Sequence, residues 1–81
     1  MRADPIPALK QQLGEELARQ IHGWHSADIA YLLGVDRARI SELRRARLNR
    51  FSLEMLVRLL ARIGHDTEVR VTRRRVQQPR A

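Results

Sequence analysis

The sequence predicts an all-α domain of four to five short helices, with one β-strand near its C-terminal end. Three observations point that way. Apolar residues recur every three or four positions from Leu9 to Ile63, capping residues and glycines punctuate that pattern, and the period changes to two only at Thr67–Thr72. The length agrees, because 81 residues make one small domain with a marginal core and no room for a second.

Each element follows from local signals. Asp4 and Ile6 each precede a proline, a residue whose missing N–H costs nothing in a helical first turn. Leu9, Leu13, Leu17 and Ile21 then line one face, while Gly14 weakens that helix by about 1 kcal/mol relative to alanine. His22-Gly23 supplies the stop. Ser26 caps a second, short helix with Asp28 in its first turn and Ile29, Ala30, Leu32 and Leu33 as its apolar residues, and Gly34 ends it. Trp24 is expected to plug the core between these two helices.

Asp36 caps a third helix reaching Arg45, and Val35 and Ile40 are spaced as a hydrophobic staple. The device recurs with Phe51, the cap Ser52 and Leu56. Leu53, Leu56, Leu60 and Ile63 form the apolar face of the fourth helix, and Gly64 closes it. In Thr67-Glu68-Val69-Arg70-Val71-Thr72 the apolar residues alternate, as in a strand. The expected organisation is an arm over residues 1–6, a folded domain over 7–72 with its strand at 67–72, and a frayed basic tail over 73–81.

Charge narrows the function. Sixteen basic residues against nine acidic give a net charge of +7, and all the basic residues but Lys10 are arginine. Residues 1–36 carry three basic and five acidic groups, net −2, whereas residues 37–81 carry thirteen and four, net +9. A positive field confined to one half favours a polyanion. The absence of cysteine excludes disulfides and thiolate metal sites. The run Ile29–Leu33 is too short to span a membrane, and no apolar leader opens the chain, so a soluble cytoplasmic, nucleoid-associated protein is expected. Ser26, Ser41 and Ser52 are explained as caps or helix residues, and His22, His25 and His65 form no acid–base or metal spacing, so neither an enzyme nor a metal or cofactor is expected.

The window from Ser26 to Arg45 carries the function. Ala30 is small where two short helices cross closely, Gly34 permits a left-handed turn, and Ile40 and Leu43 share the face that the second helix buries. These are the requirements of a helix-turn-helix. A recognition helix over about residues 36–45 presents Arg37, Ala38, Ser41, Glu42 and Arg45 away from that core as candidate base contacts. Arg37 suits guanine, Ala38 a thymine methyl, and Ser41 a base or a phosphate; Glu42 either accepts from cytosine N4 or pairs with Arg39 or Arg45. Ser26, Arg39, Arg44, Arg47, Asn49, Arg50 and Ser52 are the candidate phosphate contacts, Ser52 through the N–H groups of its helix start. Arg58 and Arg62 are expected to be solvated.

Leu32-Leu33-Gly34-Val35-Asp36-Arg37-Ala38-Arg39-Ile40-Ser41-Glu42-Leu43, followed by Arg50-Phe51-Ser52-Leu53 and Leu60-Ala61-Arg62-Ile63-Gly64, resembles the Xre (Cro and phage-repressor-like) regulators. Within them it looks like the compact single-domain subgroup that includes HigA-type antitoxins. The resemblance implies a lambda-repressor-like fold and a dimeric DNA-binding repressor. It also implies an alternative, an antitoxin that neutralises a cognate toxin protein by direct binding and represses its own operon. Two positions depart from the family pattern. His25-Ser26 stands where Thr-Gln is common, and Ala46 stands where glycine commonly follows the recognition helix.

A lone strand cannot satisfy its own backbone, and no second strand pattern exists in the chain. The expected partner is therefore the same strand of a second copy, antiparallel across a two-fold axis, with Leu60, Ile63, Val69 and Val71 at the dimer interface. Centring the pair on Val69 sets Glu68 opposite Arg70 twice, whereas centring it on Arg70 opposes like charges. Such a dimer presents two recognition helices to a palindromic operator on double-stranded DNA.

Overall fold

A computed structural model describes residues 4–73 and 75. It contains α1 (Ile6–Gln20), α2 (Ser26–Leu33), α3 (Arg37–Arg44) and α4 (Leu53–Arg62). The lower helix count of the expected range is therefore the one observed. The long helix α1 packs most extensively on α4, and the short pair α2–α3 is laid against both.

Local chemistry sets the ends of the helices. The N-cap of α1 is Pro5, and the Asp4 carboxylate accepts from the Ile6 N–H at 3.0 Å. Asp36 accepts from the Arg39 N–H at 2.8 Å, and the Ser52 hydroxyl from the Met55 N–H at 3.0 Å, so both expected caps form. Ser26 is the exception. It is the first residue of α2, the cap position belongs to the extended His25, and no side chain caps that end.

Leu17, Ile21, Ile29, Leu33, Ile40, Leu43, Leu48, Phe51, Leu56, Leu59 and Leu60 form one buried core, with Leu13, Trp24, Ala30, Val35, Met55 and Ile63 packed around it. Burying each such aliphatic side chain contributes about 1.5–3 kcal/mol, against the entropy lost in ordering it. Leu9 lies at the exposed end of the α1 stripe. Leu48 was not marked by any periodicity, since it lies in the α3–α4 connection. It reaches α1 at Gly14, where an added Cβ would stand 2.3 Å from Leu48 Cδ1. Gly14 therefore gives up helix propensity to admit a leucine.

Two arginines also close the structure. Arg44 donates to the Trp24 carbonyl at 2.6 Å, tying the end of α3 to the α1–α2 connection. Arg62, expected in solvent, instead donates to the Leu33 carbonyl and fastens α4 to the end of α2. Arg58 stays on the surface, 78% exposed, with a loose 3.8 Å pair to Glu54.

The expected C-terminal strand is not formed. Among the described residues there is no strand, and Thr67–Thr72 has no regular structure. The alternation there states a preference for extended chain, but a strand is stable only when its N–H and C=O groups meet a neighbour, and the described residues supply none. Thr67–Arg70 instead borders a groove of about 220 Å³ with Leu9, Leu13, Leu53 and Val57. Val69 and Val71 are 81% and 92% exposed. The basic tail expected over 73–81 falls almost wholly outside the described residues, as do residues 1–3 of the arm expected over 1–6, and α1 already begins at Ile6.

Two substitutions test this packing. Gly14→Ala gains about 1 kcal/mol of helix propensity but overpacks Leu48, which costs about 1–3 kcal/mol. Thermal unfolding is expected to show a net loss near 1 kcal/mol, a fall in Tm of about 4–8 °C. An unchanged or higher Tm would show that Leu48 yields freely. Ala46→Gly should act oppositely, because Ala46 stands at φ 53 in the left-handed region. Glycine relieves about 1–2 kcal/mol of strain and gives back part of it through the freer unfolded chain, so Tm should rise.

Candidate nucleic-acid interface

The site is built around α3. Gly34 ends α2 in the left-handed conformation (φ 67), its N–H donating to the Ala30 carbonyl at 2.9 Å. The chain then passes through Val35 to the Asp36 cap and re-enters a helix, with the half-buried Ala30 packed against the core. Ile40 and Leu43 are buried and anchor α3. Arg37, Ala38 and Ser41 are consequently exposed together, and Arg45, the C-cap, continues the same face.

The far end of α3 is a Schellman turn. The Ala46 N–H donates to Leu43 O at 3.0 Å and the Arg47 N–H to Glu42 O at 2.8 Å, the pattern that normally places glycine where Ala46 stands. This turn directs Arg47 outward and lets Leu48 descend into the core.

The arginines divide into two groups. Among the described residues, the side chains of Arg37, Arg45 and Arg47 make no internal hydrogen bond or ion pair, and those of Ser41 and Asn49 make no internal hydrogen bond. Ser41 and Asn49 are exposed as well. The others are engaged. Arg39 donates to the Arg50 carbonyl at 2.9 Å, with its guanidinium 5.8 Å from the centre of the Phe51 ring. Arg44 is held by Trp24, as described. Arg50 forms a two-pronged pair with Glu42, one prong of it Nε to Oε2 at 3.1 Å. Of the partners foreseen for Glu42, neither Arg39 nor Arg45 takes that role. The Ser26 side chain is exposed at the start of α2, and the Ser52 hydroxyl is occupied by its cap. Among the candidate interface residues, Leu60 is only 3% exposed and belongs to the chain's own core; Ile63 is half-buried, while Val69 and Val71 face solvent.

The structure adds Lys10 and Gln11, which lie in the half of the chain with net charge −2. With Pro7, Ala46, Arg47, Leu48 and Asn49 they line a pocket of about 390 Å³ between α1 and the α3–α4 connection. No carboxylate lines it, and two cations do. Only the fold brings residues 10 and 47 together, so no sequence signal could have found this. Among the described residues no three His, Asp or Glu side chains converge as a metal site would require, and no helix is long and apolar enough to cross a membrane.

The Glu42–Arg50 pair has a pH signature. The hydrogen bond from Arg50, then its charge and that of Arg39, hold the Glu42 carboxyl below its ordinary value of 4.5. A carboxyl lowered by folding stabilises the fold above that ordinary value, and the contribution is lost as pH falls through the lowered one. Glu42→Gln should therefore lower Tm slightly at neutral pH and converge with the wild type in acid. Equal Tm differences at pH 7 and pH 3 would show that the charge is irrelevant there.

A family model described as a helix-turn-helix domain matches residues 2–72. No curated protein and no solved structure matches the chain. The matched span takes in all four helices, the Gly34 turn and the exposed face of α3. The chain belongs to the helix-turn-helix domain family, a fold that binds DNA.

Proposed function

We propose that this protein is a sequence-specific transcriptional repressor of the Xre kind, reading the major groove with α3 and repressing its own gene from a palindromic operator. The observation that carries this reading is the outward face of α3. Arg37, Ala38, Ser41 and Arg45 stand together on it, and its arginine side chains have no partner among the described residues. An arginine near the start of a recognition helix can bond guanine O6 and N7 in the bidentate way that specifies a base. Arg47, Asn49 and Lys10 flank that face and suit phosphates, which position the helix without reading sequence.

Arg39, Arg44 and Arg50 act differently. Arg39 and Arg44 carry positive charge toward the DNA while one N–H of each holds the fold, and Arg50, paired through two N–H groups to Glu42, shapes the surface more than it charges it. Glu42 enters this reading as the group that aims Arg50 rather than as a base contact.

The homodimer rests on the C-terminal segment. Val69 and Val71 expose apolar side chains that a second copy would cover, beside the groove formed with Leu9 and Val57. Two-fold pairing there sets two α3 helices against successive major grooves, about 34–36 Å apart.

An operator selected from random duplexes allows direct tests by fluorescence anisotropy. Arg37→Ala should cost about 1–3 kcal/mol on that operator and relax preference at one base pair. Arg47→Ala and Lys10→Ala should each weaken all duplexes alike and reduce the slope of log K against log salt by about one. Full operator affinity and unaltered base preference in Arg37→Ala would refute this placement of α3. Ending the chain after Asp66 should yield a monomer in sedimentation with most operator affinity gone. A truncated chain that stays dimeric would move the interface elsewhere.

A further inference from the structure

The outer face of α2 differs chemically from the rest of the surface. Asp28, Tyr31 and Leu32 lie at i, i+3 and i+4 and so share one side, opposite the buried Ile29 and Leu33. Tyr31 is 87% exposed and Leu32 43%. With Gly23, Trp24 and His25 they line an open concavity of about 460 Å³. The chain has one Trp, one Tyr and one Phe, and two of these three rings meet here.

We propose that this concavity is a docking site for a partner protein, receiving a lysine or arginine side chain flanked by apolar residues. Charge selects that occupant. Among the described residues Asp28 is the one carboxylate that lines the concavity, no arginine or lysine joins it there, and Asp28 lies in the half of the chain with net charge −2. A guanidinium or ammonium is attracted both by the carboxylate and by the faces of Trp24 and Tyr31. Leu32 supplies apolar contact for the residue beside it. A DNA backbone is repelled from the same place by Asp28.

A second copy fits less well. Its described arginines and its lysine line no part of this concavity, so the contact would join two different patches, and a contact of that type either closes into a ring or propagates as a filament. The site is also held in advance of binding. Trp24 packs against the core, its backbone N–H donating to Ile21 O at 3.0 Å and its backbone carbonyl accepting from Arg44. Exposed aromatic residues with a fixed backbone are what protein interfaces use as anchors, since little ordering remains to oppose binding.

Trp24 is the only tryptophan, so its fluorescence reports on this site in the full chain. The probes are a blocked Leu-Arg-Leu peptide and its Leu-Glu-Leu counterpart. The first should change the Trp24 emission saturably and the second should not. Asp28→Lys and Tyr31→Ser should each weaken Leu-Arg-Leu by about tenfold, and Asp28→Lys should acquire binding of Leu-Glu-Leu. Both positions are exposed, and unchanged circular dichroism would show that each variant folds. Duplex DNA affinity of Tyr31→Ser should equal that of the wild type. Equal binding of the two peptides, failure of the charge swap, tighter binding of oligothymidine than of Leu-Arg-Leu, self-association abolished by Tyr31→Ser, or loss of duplex affinity in Tyr31→Ser would each overturn the proposal.

Discussion

An eight-residue helix does not hold itself together in water, because nucleation costs more than so few hydrogen bonds return. Everything this molecule presents from α3 depends on overcoming that limit. Asp36 satisfies an orphan N–H at one end, and the Schellman turn at Ala46 satisfies orphan carbonyls at the other. Between them only Ile40 and Leu43 are buried, so the helix is anchored along one side and free along the other. The left-handed turn at Gly34 sets its direction, and Arg62 on the Leu33 carbonyl locks that turn to α4. An added Cβ at Gly34 would meet Arg62 Nη1 at 2.8 Å as well as the left-handed backbone, so turn and lock occupy the same small space.

The basic residues show why counting charge does not locate a site. Thirteen basic groups lie beyond residue 36, yet their roles differ through their partners. Arg39, Arg44, Arg50 and Arg62 all use a guanidinium N–H on a carbonyl or carboxylate of the chain itself. Arginine suits this dual use, because its planar fork has five donors and one internal bond, or two at Arg50, leaves the others free. Lys10, with a compact ammonium, makes no such bond among the described residues and lies beside Arg47 instead.

The boundary between what could and could not be read in the sequence follows contact distance along the chain. Helix starts at Asp36 and Ser52, the stop at Gly34 and the exposed face of α3 were legible because each is decided within about one turn of helix. Long-range contacts were not. Nothing near Gly14 announces Leu48, nothing near Arg62 announces Leu33, and Leu60 sits on an apolar stripe that serves the chain's own core equally well as an interface. The strand expected at 67–72 is missing for a related reason, since alternation describes one side of a ladder whose other side is not found among the described residues. Ser26 lies one residue inside the cap position, so it opens α2 without satisfying an N–H at that end.

The two outward faces that result are not independent. Arg44 belongs to α3 and holds the carbonyl of Trp24, whose ring forms a wall of the concavity on α2. The positive surface and the acidic, aromatic one therefore meet through one hydrogen bond, with the shared core beneath it. Their chemistry keeps their ligands apart: phosphate is drawn to arginine and repelled by Asp28, while a cationic side chain experiences the reverse. A helix-turn-helix this small has few residues to divide between two surfaces. One is placed on α3 and the loop after it, and the other on the outer side of α2, while the buried residues of both short helices serve the shared core.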